Sequence, residues 1–295
     1  MVDCLHECGI VCLHENMSNA FQLRGCTAII TGASSGLGAE FARQISSKAA
    51  VLILAARSGD ALNELATELQ KQNASLQVLT CACDLATATG RDALWACVNH
   101  SNIQPTLLIN NAGLGDYGDF ADADEARITQ QINLNITALT LIAWEFVRRS
   151  SATAEKPSAV LNISSLASVA PMAQMGVYAA TKAYVSSLGE SLRIELAARH
   201  VQVLTVCPGP TPTGFGSNAR RPDGADIARS GQGFLQMPRE RVVSIALRKL
   251  ESNSARVFPG WRVTLAAMIF EKMPRVLLRY AFGLRYRKAE RKTPL

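Results

Sequence analysis

A tyrosine and a lysine lie four residues apart near the middle of the chain, and a serine precedes the tyrosine by thirteen residues: Ser165, Tyr178 and Lys182. A phenol has an ordinary pKa of about 10, so it donates its proton poorly near neutral pH. On a helix, residues four apart share a face, which would place the Lys182 ammonium beside the Tyr178 hydroxyl and lower its pKa. A serine hydroxyl at the same point could hold a carbonyl oxygen. The three side chains predict a proton-transfer site, although Tyr and Lys at this spacing also occur on ordinary amphipathic helices.

A glycine cluster near the amino terminus predicts a phosphate-binding turn. Gly32, Gly36 and Gly38 separate a β-branched apolar run from a helical pattern. Glycine lets the backbone turn tightly and approach a pyrophosphate, which the N-terminus of the following helix stabilises. We expect the intervening residues to lie against the same ligand: Ser34, Ser35 and Leu37. The position between a strand and a helix indicates a dinucleotide site.

The end of the second predicted strand distinguishes the two nicotinamide dinucleotides. In dinucleotide-binding folds an acidic residue there binds the ribose 2′-hydroxyl of NAD. This sequence has Ala56 followed by Arg57. A guanidinium can pair with the 2′-phosphate of NADP, which an acid would repel. We therefore predict NADP as the cofactor; the alternative is that Arg57 is merely a solvated surface residue.

Short apolar runs alternate with longer amphipathic segments after Cys26, which is the pattern of β-α-β units and a parallel sheet. Strands are predicted at Cys26–Thr31, Val51–Ala55, Leu76–Cys83, Thr106–Asn110, Ala159–Ser164, Val201–Val206 and near Val257. Helices are predicted to begin near Gly36, Asp60, Gly90, Asp124, Gly176 and Pro238. The fold class is α/β, a three-layer doubly wound fold with a mostly parallel sheet of six or seven strands.

Two further groups of residues follow the third and fourth predicted strands. Asp84, followed by Leu85, could accept a hydrogen bond from an adenine amino group. The small residues after the fourth strand would permit close cofactor approach: Asn111, Ala112 and Gly113. Open sheets bind ligands at the carboxyl ends of their strands, so these groups predict the rest of a cofactor site; each alone could be a turn or capping device.

The chain is organised as one large unit with two extensions. We predict a poorly ordered extension over residues 1–20, a single catalytic domain over 21–260 with a substrate loop at about 209–237, and an amphipathic basic extension over 261–295. The first extension holds three Cys and two His, but a short segment offers no scaffold for a metal site, and none is predicted. The eight scattered cysteines and the lack of a signal-like start favour reduced thiols and a cytoplasmic location.

Positive charge is concentrated at the carboxyl end. Residues 271–295 carry eight basic and two acidic residues, which accounts for the whole net charge of +6. This distribution argues against nucleic-acid binding and favours contact with an anionic surface. The segment predicts two short helices on either side of Pro274, which serve either as a lid on the domain or as a peripheral membrane contact.

Together these motifs resemble those of the short-chain dehydrogenase/reductase family, in its NADP-preferring single-domain members. The resemblance covers about residues 25–260 and rests on Thr31-Gly-x-x-x-Gly-x-Gly38, Asp84, Asn110-Asn-Ala-Gly113, Asn135, Ser165, Tyr178-x-x-x-Lys182 and Pro208-Gly209. It implies a Rossmann fold and an NADP-dependent enzyme that interconverts a ketone or aldehyde and an alcohol. The implied partners are a small apolar carbonyl compound or alcohol and further copies of the chain, as a homodimer or homotetramer.

The resemblance also implies a role for each site residue. Tyr178 would be the general acid for reduction and the base for oxidation, while Lys182 would lower its pKa and bond the nicotinamide ribose. Ser165, rather than Ser164, would polarise the carbonyl. A water linking Lys182 to solvent would be held by Asn135, with Asn133 as the alternative. The nicotinamide would be lined by Pro208, Gly209, Thr211 and Thr213.

Two other functions stay open. A non-catalytic nucleotide-binding scaffold could use the same fold, although such relatives usually lose the tyrosine or the lysine, and this chain keeps both. A membrane-surface reductase of 3-oxo-lipids or oxoacyl groups would use the basic, apolar carboxyl end.

Overall fold

A computed structural model describes residues 20–219 and 233–290. The predicted extension over residues 1–20, with its Cys and His residues, therefore lies outside the described residues apart from Ala20. The middle of the predicted substrate loop also lies outside them.

Seven parallel strands form one sheet in the order β3-β2-β1-β4-β5-β6-β7. The prediction of a doubly wound sheet is confirmed, and every pairing is parallel. The central strands are buried along their whole length because helices cover both faces of the sheet. The strands are β1 Thr27–Thr31, β2 Val51–Ala56, β3 Gln77–Ala82, β4 Leu107–Asn110, β5 Ser158–Ile163, β6 Val201–Val206 and β7 Arg256–Val257.

Ten α-helices connect and follow these strands in the described part of the chain. They are α1 Gly36–Ile45, α2 Gly59–Gln72, α3 Ala88–His100, α4 Glu125–Ile132, α5 Leu139–Arg149, α6 Gly176–Glu195, α7 Phe215–Ala219, α8 Arg239–Glu251, α9 Trp261–Lys272 and α10 Arg275–Glu290. A π-helical segment, Asn133–Ala138, joins α4 to α5. The predicted helix starts lie within two residues of the observed ones.

Two apolar cores lie on opposite faces of the sheet. Because successive side chains of a strand point to opposite sides, Ile29 and Ile30 of β1 enter different cores. The core with Ile30 packs against α1, α2 and α8, and the core with Ile29 packs against α3, α5 and the end of α6. This three-layer packing holds the carboxyl ends of the strands at one edge, where the predicted site residues lie.

The two helices predicted around Pro274 are present. The Pro274 carbonyl accepts hydrogen bonds from the amides of Leu277 (2.9 Å) and Leu278 (3.2 Å), so the proline begins α10 rather than interrupting it. Helix α9 packs through Val263 and Ala267 on a 3₁₀ turn that follows β5. None of the helices in the described ranges is both long and apolar enough to cross a bilayer.

Candidate active site

The glycine turn between β1 and α1 is shaped for close approach of an anion. Gly32 (φ 65°) and Gly36 (φ 58°) adopt the left-handed backbone conformation that favours glycine. A Cβ at Gly38 would collide with the Gly32 carbonyl oxygen. The Ser35 side chain makes no capping hydrogen bond, so it does not compete for the amides at the start of α1. Those amides and the positive end of the helix fit the pyrophosphate of a dinucleotide.

The ends of β1 and β4 are joined beside this turn. The Thr31 hydroxyl oxygen accepts hydrogen bonds from the amides of Asn111 (2.9 Å) and Ala112 (3.0 Å). The Asn111 side-chain amide donates in return to the Thr31 carbonyl at 2.9 Å. These hydrogen bonds fix the backbone at the floor of the site. A Cβ on Gly32 would lie only 2.9 Å from the Cα of Ala112 and from the Nδ2 of Asn111.

A cavity of about 1020 Å³ runs along the carboxyl edge of the sheet. Its wall contains every residue predicted for the site except Gly38 and Asn135, which lie behind it. Arg57 follows β2 and lies exposed in this wall, with Ser58 next to it. Asp84 follows β3 and uses one carboxylate oxygen to accept from the Ala86 amide at 3.0 Å. The positions predicted to bind a dinucleotide therefore lie along one cavity that also contains Tyr178.

Tyr178 and Ser165 lie side by side in the wall of the cavity. Burial raises the pKa of Tyr178 to about 12, and the nearby Ser165 hydroxyl opposes this rise only in part. The Phe215 ring lies 5.4 Å from the tyrosine ring and shields it from solvent. The phenol is consequently protonated at neutral pH, which is the form that can donate a proton.

Lys182 is buried next to Tyr178. Its Nζ donates to the Ile163 carbonyl at 2.8 Å and lies 5.8 Å from the centroid of the Tyr178 ring. Burial disfavours the ammonium and lowers the pKa of Lys182 to about 8. The pKa of Tyr178 is raised overall because burial dominates and the Lys182 ammonium bonds a backbone carbonyl. That Lys182 lowers the pKa of Tyr178 during the reaction stays a prediction.

The two neighbouring serines face different surroundings. Ser165 lies in the cavity wall, and its oxygen accepts from the Ala167 amide at 3.1 Å. Ser164 is buried and donates to the Lys182 carbonyl at 2.8 Å, and its hydroxyl also bonds the Ser186 hydroxyl at 2.7 Å. Ser165 is thus the serine beside Tyr178, whereas Ser164 fixes helix α6 to the end of β5.

Asn135 clamps the loop after β4 to α6. Its Oδ1 accepts from the Leu114 amide at 2.8 Å, and its Nδ2 donates to the Leu114 carbonyl at 2.8 Å and to the Thr181 hydroxyl at 3.0 Å. The residue is wholly buried within the π-helical segment, a local widening common at functional sites. A Cβ on Gly113 would lie 3.4 Å from both Asn135 Oδ1 and Lys182 Nζ, so glycine lets these two groups approach.

Comparison with known proteins agrees with this arrangement. Residues 26–224 match the family model of the short chain dehydrogenases. The chain belongs to the short-chain dehydrogenase/reductase family. Sepiapterin reductase of Rattus norvegicus is 36% identical over 207 residues, which cover 66% of this chain and 78% of that protein.

Two solved structures of short-chain dehydrogenases are also similar to this chain. That of Sphingobium yanoikuyae, in complex with NADPH, has 27% sequence identity and a TM-score of 0.68 and covers 91% of this chain and 96% of its own. One from Burkholderia phymatum, in complex with NAD, has 22% identity and a TM-score of 0.73, covering 84% and 94%. This short-chain dehydrogenase is therefore an oxidoreductase with a Rossmann fold.

The residues predicted to line the nicotinamide end come together in this short-chain dehydrogenase. Pro208 and Gly209 follow β6, and Thr211 and Thr213 follow them into the cavity wall. The Thr211 hydroxyl donates to the Gly209 carbonyl at 3.1 Å. These contacts give the segment after β6 a fixed course beside Tyr178.

Several functional residues were not predicted from the sequence. Ser58 carries no motif of its own, and its place beside Arg57 follows from the turn into α2. The apolar walls of the substrate end come from four separate segments: Leu166, Met172, Met175, Phe215, Leu235, Phe270 and Phe282. The Phe270 and Phe282 rings meet edge to face at 5.6 Å and join α9 to α10 over the cavity. Only tertiary packing brings these residues together, so sequence spacing carried no signal for them.

Proposed function

We propose that this oxidoreductase reduces a ketone or aldehyde to an alcohol with NADPH, and catalyses the reverse reaction with NADP, using Tyr178 as the general acid and base. One observation carries the proposal. A protonated, buried phenol beside the Ser165 hydroxyl lies in the same cavity as a glycine turn shaped for close approach of a pyrophosphate. Such a cavity brings a proton donor within reach of a carbonyl group held beside a dinucleotide.

The bound cofactor would supply the hydride for reduction and accept it in the reverse direction. Ser165 donates a hydrogen bond to the carbonyl oxygen, and Tyr178 gives its proton to the same oxygen. With a pKa of about 8, Lys182 is mostly an ammonium at neutral pH, and its charge stabilises the phenolate left behind. The hydrogen bonds of Asn135 hold the surrounding backbone, and we propose that this residue also positions a water beside Lys182.

One related structure contains NADPH and another contains NAD, so these structures do not decide between the two cofactors. The proposed preference for NADP therefore rests on Arg57. Arg57 lies at the end of β2, where its guanidinium and the Ser58 hydroxyl would bind a 2′-phosphate. We expect Arg57→Ala to lower kcat/KM for NADPH by about tenfold to a hundredfold while leaving the value for NADH within about twofold. Arg199→Ala, at the opposite edge of the sheet, is the matched control. An unchanged preference in Arg57→Ala would refute the assignment.

The substrate we propose is an apolar carbonyl compound, because apolar side chains surround the space beyond Tyr178. A second candidate within this class is a 3-oxo-lipid or oxoacyl compound taken from a membrane surface. It is favoured by the exposed apolar residues of α9 and α10, whose other faces line the cavity.

A substrate screen tests the proposal. NADPH oxidation would be followed with bulky ketones, aldehydes, steroids, 3-oxoacyl thioesters and sugars. We expect turnover with apolar compounds and little with sugars. NADPH binding without turnover across the whole panel would contradict the proposal and support a non-catalytic nucleotide-binding scaffold.

We also propose that the chain forms a homodimer or homotetramer through α5 and α6. Leu141, Trp144 and Tyr184 are exposed on these helices, and the hydroxyls of Tyr184 and Thr140 join the two helices at 2.9 Å. A second copy packed on this face would remove the apolar side chains from water.

A further inference from the structure

Helices α9 and α10 are apolar on two sides, although the described residues of the chain pack against only one side of each. The inner side of α9 presents Val263, Ala267 and Phe270, and the inner side of α10 presents Leu278 and Phe282. The outer sides carry eight large exposed apolar residues at helical spacing: Trp261, Leu265, Met268, Ile269, Val276, Leu277, Tyr280 and Leu284. We call these eight residues the outer face. A contiguous apolar surface of this kind marks a site of contact with a membrane or another protein.

Basic residues border the outer face. Arg262, Lys272, Arg275 and Arg279 are exposed on the same two helices. Glu271 is the acidic residue among their described side chains, and it is already paired with Arg256. The outer face therefore has a net positive border without an acidic counterpart in the described residues.

This charge decides between the two kinds of partner. A second copy of the chain, packed face to face, would bring the two positive borders together, and their repulsion would weaken the dimer. An anionic lipid surface would instead neutralise them. Trp261 and Tyr280 add the two aromatic side chains that favour the boundary between lipid and water. We propose that α9 and α10 dock the protein on an anionic bilayer surface, with the outer face inserted among the lipids and the basic residues at the headgroups.

The same two helices roof the substrate end of the cavity, so docking would hold that end of the cavity next to the lipid. Phe270 and Phe282 line the cavity from the side opposite to the outer face. Helix α10 also reaches across the cleft, where the Tyr286 hydroxyl donates to Asp119 Oδ1 at 3.0 Å. An apolar substrate could then pass from the bilayer to Tyr178 with little exposure to water. This last step rests on the proposed function, whereas the docking itself does not.

Co-sedimentation of the full chain with vesicles tests the proposal. The vesicles would be of phosphatidylcholine alone or of phosphatidylcholine with about one-third phosphatidylserine, the latter because anionic lipid attracts basic residues. We expect the protein to pellet with the anionic vesicles and to be released by high salt. Failure of the intact protein to bind either kind of vesicle would overturn the proposal.

Three variants make the test specific. Lys272→Glu/Arg275→Glu/Arg279→Glu should weaken partitioning to anionic vesicles by about a hundredfold, and Leu265→Ser/Leu277→Ser should weaken it at least as much. Ile194→Ser is the matched control, because Ile194 is 81% exposed on α6 far from the outer face, and it should bind as the wild type does. Melting temperature and NADPH binding confirm that each variant is folded.

Two results would assign the outer face differently. If the charge variant and the Leu265→Ser/Leu277→Ser variant both bind vesicles as the wild type does, another part of the chain is responsible for binding. That result would overturn the proposal. A concentration-dependent dimer that Leu265→Ser/Leu277→Ser abolishes, without vesicle binding by the wild type, would assign the outer face to a second copy. Turnover of soluble ketones is measured separately, so a failure of docking does not affect the test of the proposed reaction.

Discussion

At the scale of single residues, Ser164 and Ser165 have the same chemistry and different tasks. The Ser165 hydroxyl lies beside Tyr178 in the cavity wall, so we expect Ser165→Ala to lower kcat by about a hundredfold with little loss of stability. The Ser164 hydroxyl is already used in hydrogen bonds to the Lys182 carbonyl and the Ser186 hydroxyl, so Ser164→Ala should cost about 1–3 kcal/mol of unfolding free energy and keep most of kcat. Steady-state kinetics and chemical denaturation measure both effects. Equal loss of kcat in the two variants would contradict the division of roles.

The buried Lys182 ammonium makes a specific contribution to the pH dependence of stability. Its pKa is about 8 in the folded protein against an ordinary value of 10.5, so between these values the unfolded chain binds more protons. Stability therefore rises as the pH increases through this window, and the cost of burying the charge is fully present below it. We expect the unfolding free energy of the wild type, relative to Lys182→Met, to rise by roughly 3 kcal/mol from about pH 7 to about pH 11. A difference that stays flat with pH would show that the lysine is not desolvated.

Residue types and spacing predicted which side chains surround the proton-transfer site but not their pKa values. The four-residue spacing placed Lys182 near Tyr178, yet burial of both groups outweighs their mutual effect. Burial depends on Phe215 and on the packing of α6 against the sheet, and neither is visible in a helical repeat.

At the scale of elements, the π-helical segment positions Asn135 against the loop after β4. Asn135→Ala would leave the Leu114 amide without its partner in a partly buried site, while Gln131 would still donate to the Leu114 carbonyl, and this should cost about 1–3 kcal/mol and lower kcat. The neighbouring Asn133→Ala should change both by much less, because Asn133 is only half-buried. Chemical denaturation and steady-state kinetics on the two variants measure both effects. A larger effect of Asn133→Ala than of Asn135→Ala would contradict the positioning role of Asn135.

Strands and most helices could be predicted because each buries a face with a regular period. The π-helical segment could not, since its widened turn depends on Leu114 and Thr181, which come from two other elements. A lid formed by the two helices around Pro274 was one of the two predictions for that segment, but the residues that line the cavity from it were not predicted. Phe270 and Phe282 read as part of an amphipathic extension, and only the fold brings them over a site formed mostly by β-strand ends.

At the scale of the whole molecule, two apolar surfaces differ in charge. The surface on α5 and α6 is less positive, since Glu145 pairs with both Arg148 and Arg149 and offsets part of their charge, and it suits a second copy of the chain. We expect the wild type to sediment as a dimer or tetramer and Leu141→Glu/Trp144→Glu to sediment as a smaller species. Leu265→Glu, on the basic outer face, should leave the mass unchanged. Sedimentation velocity at several concentrations measures this, and a monomeric wild type would contradict the proposed interface.

In the proposed reaction Tyr178 donates the proton, whereas the cofactor site is built from other residues. Replacing Tyr178 with Phe removes only the hydroxyl, so the most direct measurement compares NADPH binding with NADPH oxidation in the Phe variant and the wild type, using any ketone that the screen identifies. We predict an NADPH Kd within about threefold of the wild type and turnover lowered by about a thousandfold. A Phe variant that binds NADPH and still turns over at more than about a tenth of the wild-type rate would contradict the account.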